Sequence, residues 1–352
     1  MTTATIVSRA VSTSAVTGSD SKSHITAIDP LLRALTGLLS LSCLLLIFVG
    51  GLVKSHEAGL SVPDWPTTYG DNMFLFPYQL WIGGIFYEHG HRLLASGVGL
   101  MTVIVALATF MRDKRRLPRV LSIIAVLTVI LQGTLGGLTV LYRLPPAISI
   151  CHGLLAQSFF LITISLYFLQ SNLYRLSAAP AVSQPQLRNG RKHAAMIIAL
   201  LYFQLLAGAV MRHNGAGMAL LDFPTMGGNW LPSISSEVID RANALRAAVN
   251  LPATTSLAVT LHLIHRLGGF VVALAIGWLL LKLARGPFHG TPTHRAGVIL
   301  GILTGLQIAL GIGSILSVRE PFLTSFHVAT GAAVLGAALW VLLSTFREKL
   351  ID

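Results

Sequence analysis

Charge is what this chain has least of. Only 11% of its 352 residues are Asp, Glu, Lys or Arg, against 53% hydrophobic, with a mean hydropathy of +0.72. Soluble globular domains carry roughly a quarter of their residues as charges, so that class is excluded. Cysteine is nearly missing as well. Cys43 and Cys151 both fall inside apolar stretches, and no CxxC or CxxCH occurs, which excludes a loop disulfide framework, a cysteine zinc site and covalent haem attachment. Buried apolar thiols are the expectation. There are no ten-residue segments of alternating hydrophobicity, which argues against a transmembrane barrel. Residues 1–29 are rich in Ser, Thr and Ala and hold no apolar signal core; a flexible tail is expected, with Arg9 and Lys22 leaving a transit peptide open.

What remains is a set of eight apolar stretches, near 31–53, 88–110, 117–141, 148–170, 193–211, 257–282, 295–318 and 321–346. Each has the roughly 20 residues that cross a bilayer as helix. Lipid offers backbone groups no partners, so such runs satisfy their hydrogen bonds as helix. Placing both termini inside puts 17 Lys and Arg and 5 Asp and Glu on the inner segments, against 8 and 8 outside. The whole net charge of +12 then sits on one face, as the positive-inside rule requires, in runs such as Arg112–Arg116 and Arg188–Lys192. The basic pI of about 10.3 therefore belongs to short loops beside membrane spans. Lipid is the expected partner and nucleic acid is not.

The chain also repeats. Gly50, Lys54, Ala58-Gly59 and Asp64-Trp65-Pro66-Thr67 correspond to Gly208, Arg212, Ala216-Gly217 and Asp222-Phe223-Pro224-Thr225 at an offset of 158. His91-Arg92, Leu131-Gln132 and His152 correspond to His265-Arg266, Leu306-Gln307 and His327 at offsets of 174 to 175. An insertion of about 16 residues in the region 227–257 reconciles the two sets. Four spans per copy, an even number, make these parallel repeats. The expected fold is an all-α integral membrane protein: eight transmembrane helices as two pseudo-symmetric parallel four-helix bundles. Its divisions are a flexible tail 1–30, an N-terminal bundle 31–175, a polar inner linker 176–192 containing Pro180 and Pro185 in its vicinity, a C-terminal bundle 193–346, and a tail 347–352.

Within this frame four histidines pair. His91 precedes His152 by 61 residues and His265 precedes His327 by 62, each a few residues into the second, fourth, sixth or eighth span, hence all at the outer end. One such histidine could simply bond a neighbouring helix. Four at matched depth point to a flat metal cofactor clamped by two axial imidazoles per half, and haem fits best. Zinc or copper would want further donors, and only Glu88 and His262 stand nearby. Arg92 and Arg266, next to candidate ligands, suit pairing with propionates, although an arginine near a helix end can also snorkel to headgroups. Glu88 lies three positions before His91 and faces the same way, which suggests a proton donor or acceptor; His262 takes the equivalent place, so the two sites are chemically unequal. His56 and His89 lack repeat partners and are read as solvated or interfacial. Gly50-Gly51, Gly133, Gly136-Gly137, Gly208 and Gly268-Gly269 are read as close-packing points, and the Pro-containing outer loops as lids over the cofactor mouths.

The segment Gly51 to Pro66 (GLVKSHEAGLSVPDWP), Glu88-x-x-His91-Arg92, His152, Asp222-Phe223-Pro224-Thr225-Met226-Gly227, His265-Arg266 and His327 together resemble the haem A synthase family, in its mitochondrial and related bacterial form, from about 31 to 346. The resemblance implies an oxidoreductase that converts the C8 methyl of haem O to a formyl group for cytochrome oxidase assembly. It implies a haem O substrate site at His91, His152 and Glu88, and a resident haem B at His265 and His327. Some relatives carry an outer-loop cysteine pair that this chain lacks. It further suggests haem O synthase as a partner, an unnamed electron donor, and the bacterial inner membrane ahead of the mitochondrial one, with homo-oligomerisation left open. The competing reading is a bis-histidine dihaem electron carrier of the quinol or cytochrome type. A carrier across the membrane would want haems near both faces, and all four histidines share one. A transporter with repeated halves would want polar groups at mid-membrane, and few are present.

Overall fold

The structure, a computed structural model, describes residues 29–171 and 182–346. The expected N-terminal tail up to residue 28, the C-terminal tail, Pro180 and part of the 176–192 linker lie outside the described residues.

Nine α-helices occur among the described residues: α1 (Pro30–Ser55), α2 (Gly84–Arg112), α3 (Arg116–Leu141), α4 (Pro146–Leu169), α5 (Gln184–His213), α6 (Ser236–Ala247), α7 (Ser256–Arg285), α8 (Pro292–Leu316) and α9 (Pro321–Leu343). All except α6 are long and apolar enough to cross a membrane, so the eight spans stand and the protein is a multi-pass membrane protein. Local chemistry sets their ends. Proline occupies the first helical turn of α1, α4, α8 and α9, where no amide partner is needed. Side chains cap α1 and α9: Asp29 accepts from the amides of Leu31 and Leu32, and Glu320 from that of Leu323. Inside the spans, the hydroxyls of Thr36, Thr102, Thr109 and Thr304 donate to carbonyls one turn back. Large apolar side chains such as Leu100, Leu107, Leu127, Leu274 and Ile302 stand exposed on the outside, where lipid would meet them.

Helix α5 begins at Gln184, well before the apolar run near 193, because Ser183 and Gln186 form a reciprocal capping box that starts it early. The helix α6 fills the inserted region of the second long loop, which sequence analysis treated only as extra length. Cys43 is buried as expected, but Cys151 is exposed on α4, pointing away from the helix packing.

Contacts divide the spans into two rings: α1, α2, α3 and α4 touch in cyclic order, as do α5, α7, α8 and α9. The rings meet through α1 and α4 on one side and α5 and α9 on the other. At that seam Gly51 packs so closely on Ser325 that an added Cβ would lie 3.2 Å from the Ser325 Cα. The Ser55 and Ser325 hydroxyls lie 3.2 Å apart, and Ser158 bonds Tyr202 at 2.9 Å. Arg212 crosses the same seam to the Gly51 carbonyl and the Ser55 hydroxyl.

Candidate haem-binding sites

The four histidines sit in the first three turns of α2, α4, α7 and α9, and each imidazole leans on a glycine of the preceding span. A Cβ built at Gly50 would lie 3.1 Å from His91 Cε1, and one at Gly136 would lie 3.2 Å from His152 Cε1. At Gly208 and Gly311 the distances to His265 and His327 Cε1 are both 2.9 Å. Side chains essentially never approach that closely, so glycine is what lets the backbone serve as a back wall for each ring. Three of these positions were expected to be packing glycines; their service to the histidines is visible only in three dimensions.

The structure brings His265 and His327 together, with ring centroids 6.5 Å apart and planes at 79°. Metal–nitrogen bonds of about 2 Å on either side would set two bridged imidazole rings about 6 to 6.5 Å apart. The N-terminal pair, His91 and His152, stands on α2 and α4 of the first ring, and the Nδ1 atoms of both are buried without a partner. Unsatisfied buried nitrogens of this kind are unusual in a closed protein and fit a site built for a ligand. Both pairs lie at one end of the bundle. Gly50 backs His91, while its neighbour Gly51 packs on Ser325, two residues before His327.

Three glutamines line these sites: Gln132 and Gln307, matched by the repeat but given no part in the sites, and Gln204, not singled out in the sequence. The Gln132 amide donates to the His152 carbonyl at 3.1 Å, and Gln204 to the His265 carbonyl at 2.8 Å. Gln307 accepts at its backbone carbonyl from His327 Nδ1 at 3.0 Å. The available signal was a polar amide deep in an apolar span, 20 residues before the histidine in two of the three cases.

Arg92 and Arg266 turn to the long loops that follow α1 and α5. Arg92 donates to the carbonyls of Val62, Asp64 and Thr67 at 2.7, 2.7 and 3.1 Å. Arg266 donates to those of Leu220, Asp222 and Thr225 at 3.1, 2.9 and 3.2 Å, the same three places in the repeat. Each loop is further tied by its own aspartate. Asp64 accepts from the Thr67 hydroxyl and the Tyr69 and Gly70 amides, and Asp222 from the Thr225 hydroxyl and the Gly227 and Gly228 amides. Burial works to raise both carboxyls, but these hydrogen bonds outweigh it and hold them below the usual carboxylate range. The Trp65 indole lies against Gly137, next to the glycine behind His152, which lays the first loop over its site.

Glu88, 4% exposed, accepts from the Val62 amide at 2.8 Å and from Arg92 at 2.7 Å. His262 makes the equivalent pair of contacts, with the Leu220 amide at 3.4 Å and Arg266 at 3.0 Å. The residues differ in charge and share a position: both latch a loop to its helix. His89 differs from the solvated reading, being fully buried. Thr68 lies 3.1 Å from its Nδ1, and Phe76 and Trp81 close over its ring. His56 stacks on Tyr87 with centroids 4.0 Å apart. In the second half, α6 does the covering: Val238 and Ala242 pack on Leu220, Met226 and Leu263, and Arg246 bonds the carbonyls of Met218 and Pro252.

Among the described residues no group of three or more His, Cys, Asp or Glu could hold a bare metal ion. Two imidazoles per site suit an iron whose remaining ligands come from a porphyrin.

Comparison with known proteins agrees. The chain is 27% identical over 323 residues to the heme A synthase of Shewanella oneidensis, covering 85% of this chain and 90% of that one. It is 24% identical over 319 residues to the heme A synthase of Halalkalibacterium halodurans, covering 89% and 97%, and 27% identical over 325 residues to that of Chelativorans sp., covering 83% and 85%. The model of the COX15-CtaA family, cytochrome oxidase assembly protein, matches residues 83–339, which hold all four paired histidines, both latch residues and both arginines. This chain therefore belongs to the COX15-CtaA family of cytochrome oxidase assembly proteins.

Proposed function

We propose that the protein is a haem A synthase. It oxidises the C8 methyl of haem O, bound between His91 and His152, to a formyl group, while a haem B is held between His265 and His327. The observation that carries this reading is the 6.5 Å separation of the His265 and His327 rings. In this assignment residues 31–175 form the substrate bundle and 193–346 the resident-haem bundle, joined by the inner linker 176–192, with tails 1–30 and 347–352.

Hydroxylating an unactivated methyl twice and losing water from the resulting diol exceeds what side chains can do, and the resident haem supplies the one-electron redox chemistry. The chain's own residues do the rest. The histidines and the glycines behind them fix the plane in which the substrate lies. Arg92 and Arg266 serve the porphyrins by tying down the loops above them, which keeps bulk water away from the reacting edge. Glu88 stands at the junction of loop and helix beside His91, placed to accept or return a proton as the methyl is oxidised. His262, at the same place in the second half, holds its loop without carrying a negative charge, which suits a site that only stores and passes electrons.

The concentration of positive charge in the inner segments supports a bacterial cytoplasmic membrane location with both termini inside, which puts the haem sites near the outer face. Haem O is itself apolar and would arrive through the lipid, with haem O synthase as the supplying partner.

The test is an extraction of haems from the purified full chain, expressed with and without a haem O source. The proposal expects haem A or its hydroxylated intermediate in the first preparation. Haem B alone in both would identify an electron carrier and overturn it.

A further inference from the structure

The two long loops at the haem end of the bundle differ in what they present outward. Residues 72–87, between α1 and α2, hold no Asp, Glu, Lys, Arg or His. Six large apolar side chains of that stretch stand exposed: Phe74, Leu75, Tyr78, Leu80, Ile82 and Phe86, with Leu75 80% and Tyr78 76% accessible. The second loop also exposes Trp230, Leu231 and Ile234, but α6 follows at once and turns Glu237, Asp240 and Arg241 outward. An uncharged run of exposed apolar side chains marks an interaction surface, whereas a helix edged with charges of both signs suits water.

The first loop also lies low on the bundle. Phe76 and Trp81 turn inward onto His89, in the second turn of α2, with ring centroids 5.2 and 4.6 Å away. They anchor the segment alongside the start of a membrane span and not above it. Phe86, in the first turn of α2, closes the run, and Ile104 stands eighteen residues further along the same helix. That distance is about five turns of 3.6 residues, so the two share one helix face. Ile104, Leu100 and Leu107 are exposed there, on the side that lipid meets along the span. The apolar surface of the loop thus runs into the lipid-facing side of α2. A surface raised clear of the spans would suit a protein partner; continuity with α2 points to lipid.

We propose that residues 74–86 dip into the bilayer leaflet on the side of the haem sites, so that the mouth of the N-terminal site opens to lipid and that of the C-terminal site to water. Tyr78 suits such a position, with its ring among acyl chains and its hydroxyl among headgroups. The insertion stands apart from the haem ligation proposed above; its use rests on that reading. An apolar porphyrin arriving through the membrane meets the substrate half directly, and α6 screens the resident half from it.

The experiment uses the full chain with Leu75→Cys in a Cys151→Ser background, labelled with an environment-sensitive fluorophore. Cys43 is buried and escapes the label. The protein is placed in phosphatidylcholine vesicles whose acyl chains are either plain or brominated close to the headgroup. The expected result is a loss of fluorescence in the brominated vesicles relative to the plain ones, with no such loss for Asp240→Cys on α6. Ile82→Cys repeats the measurement if Leu75→Cys fails to fold. Equal fluorescence in the two vesicles at both positions would overturn the insertion and assign the surface to a protein partner. Leu75→Glu combined with Tyr78→Glu should lower haem A output with haem O supplied and leave the haem B content unchanged. Quenching at Leu75→Cys together with unaltered output from the charged variant would overturn the lipid route and keep the insertion. Quenching in a protein that makes no haem A at all would count against the haem A synthase reading alone.

Discussion

Glu88 and His262 occupy the same place in the two halves and meet the same two groups, a loop amide and the arginine one turn on; the carboxylate accepts from both, while the neutral imidazole, with one acceptor nitrogen, accepts from the arginine. The acceptor is a carboxylate 2.7 Å from Arg92 in the first half and an imidazole 3.0 Å from Arg266 in the second. Latching the loop to the arginine therefore requires an acceptor and not a charge. The carboxylate at Glu88, paired with Arg92, is the group proposed to handle protons.

Glu88→His separates the two roles, because the second half already uses histidine as a latch. This variant should fold, bind haem and keep the first loop protected from protease. Its haem A output with haem O supplied should fall by roughly a hundredfold or more, the usual contribution of a placed proton-transfer group. Haem A quantified by mass spectrometry at the wild-type level would end the proton-handling role.

The glycine back walls give a steric prediction. At Gly311 or Gly208 a new Cβ would lie 2.9 Å from the imidazole of His327 or His265, so alanine must push the ring out of place. Gly311→Ala should cost about 1 to 3 kcal/mol of stability with the haem bound, the range for overpacking, and broaden or remove the low-spin absorbance bands. Gly277→Ala, in the same half with nothing within 4 Å of the new Cβ, should keep the spectrum and gain slightly in thermal stability.

Loop closure should depend on pH through Asp64 and Asp222. Their folded-state acidities lie below the ordinary value, so their contribution is complete above the unfolded pKa of about 3.9 and disappears as pH falls through the lower folded value. Both loops should resist pepsin down to about pH 4 and open below it. Asp64→Asn should open the first loop at every pH. Loop opening centred near neutral pH in the wild type would contradict the assignment.

Much of this was legible in the chain before its coordinates. The eight spans follow from hydropathy because lipid leaves long apolar runs no alternative to helix, and the structure moves their ends by only a few residues except at α5. The histidine pairs and the repeated loop motifs could be aligned because both halves keep nearly constant spacing. What escaped depends on contacts between distant segments. The direction of Arg92 and Arg266 toward loop carbonyls is set by how the loops fold back. The burial of His89 comes from Phe76 and Trp81, in a loop without hydrophobic periodicity. Helix α6 is short and polar, so hydropathy passes over it. Gln204 reads as an ordinary polar interruption until its helix is set beside α7.

The central claim is that one iron porphyrin is gripped by a pair of imidazoles in each half, and the most direct measurement is haem content with low-spin spectroscopy of the purified His265→Ala and His327→Ala proteins. Each substitution should abolish the resident bis-imidazole haem signal and remove that haem from the protein. A wild-type spectrum with full haem content in either variant would contradict the account.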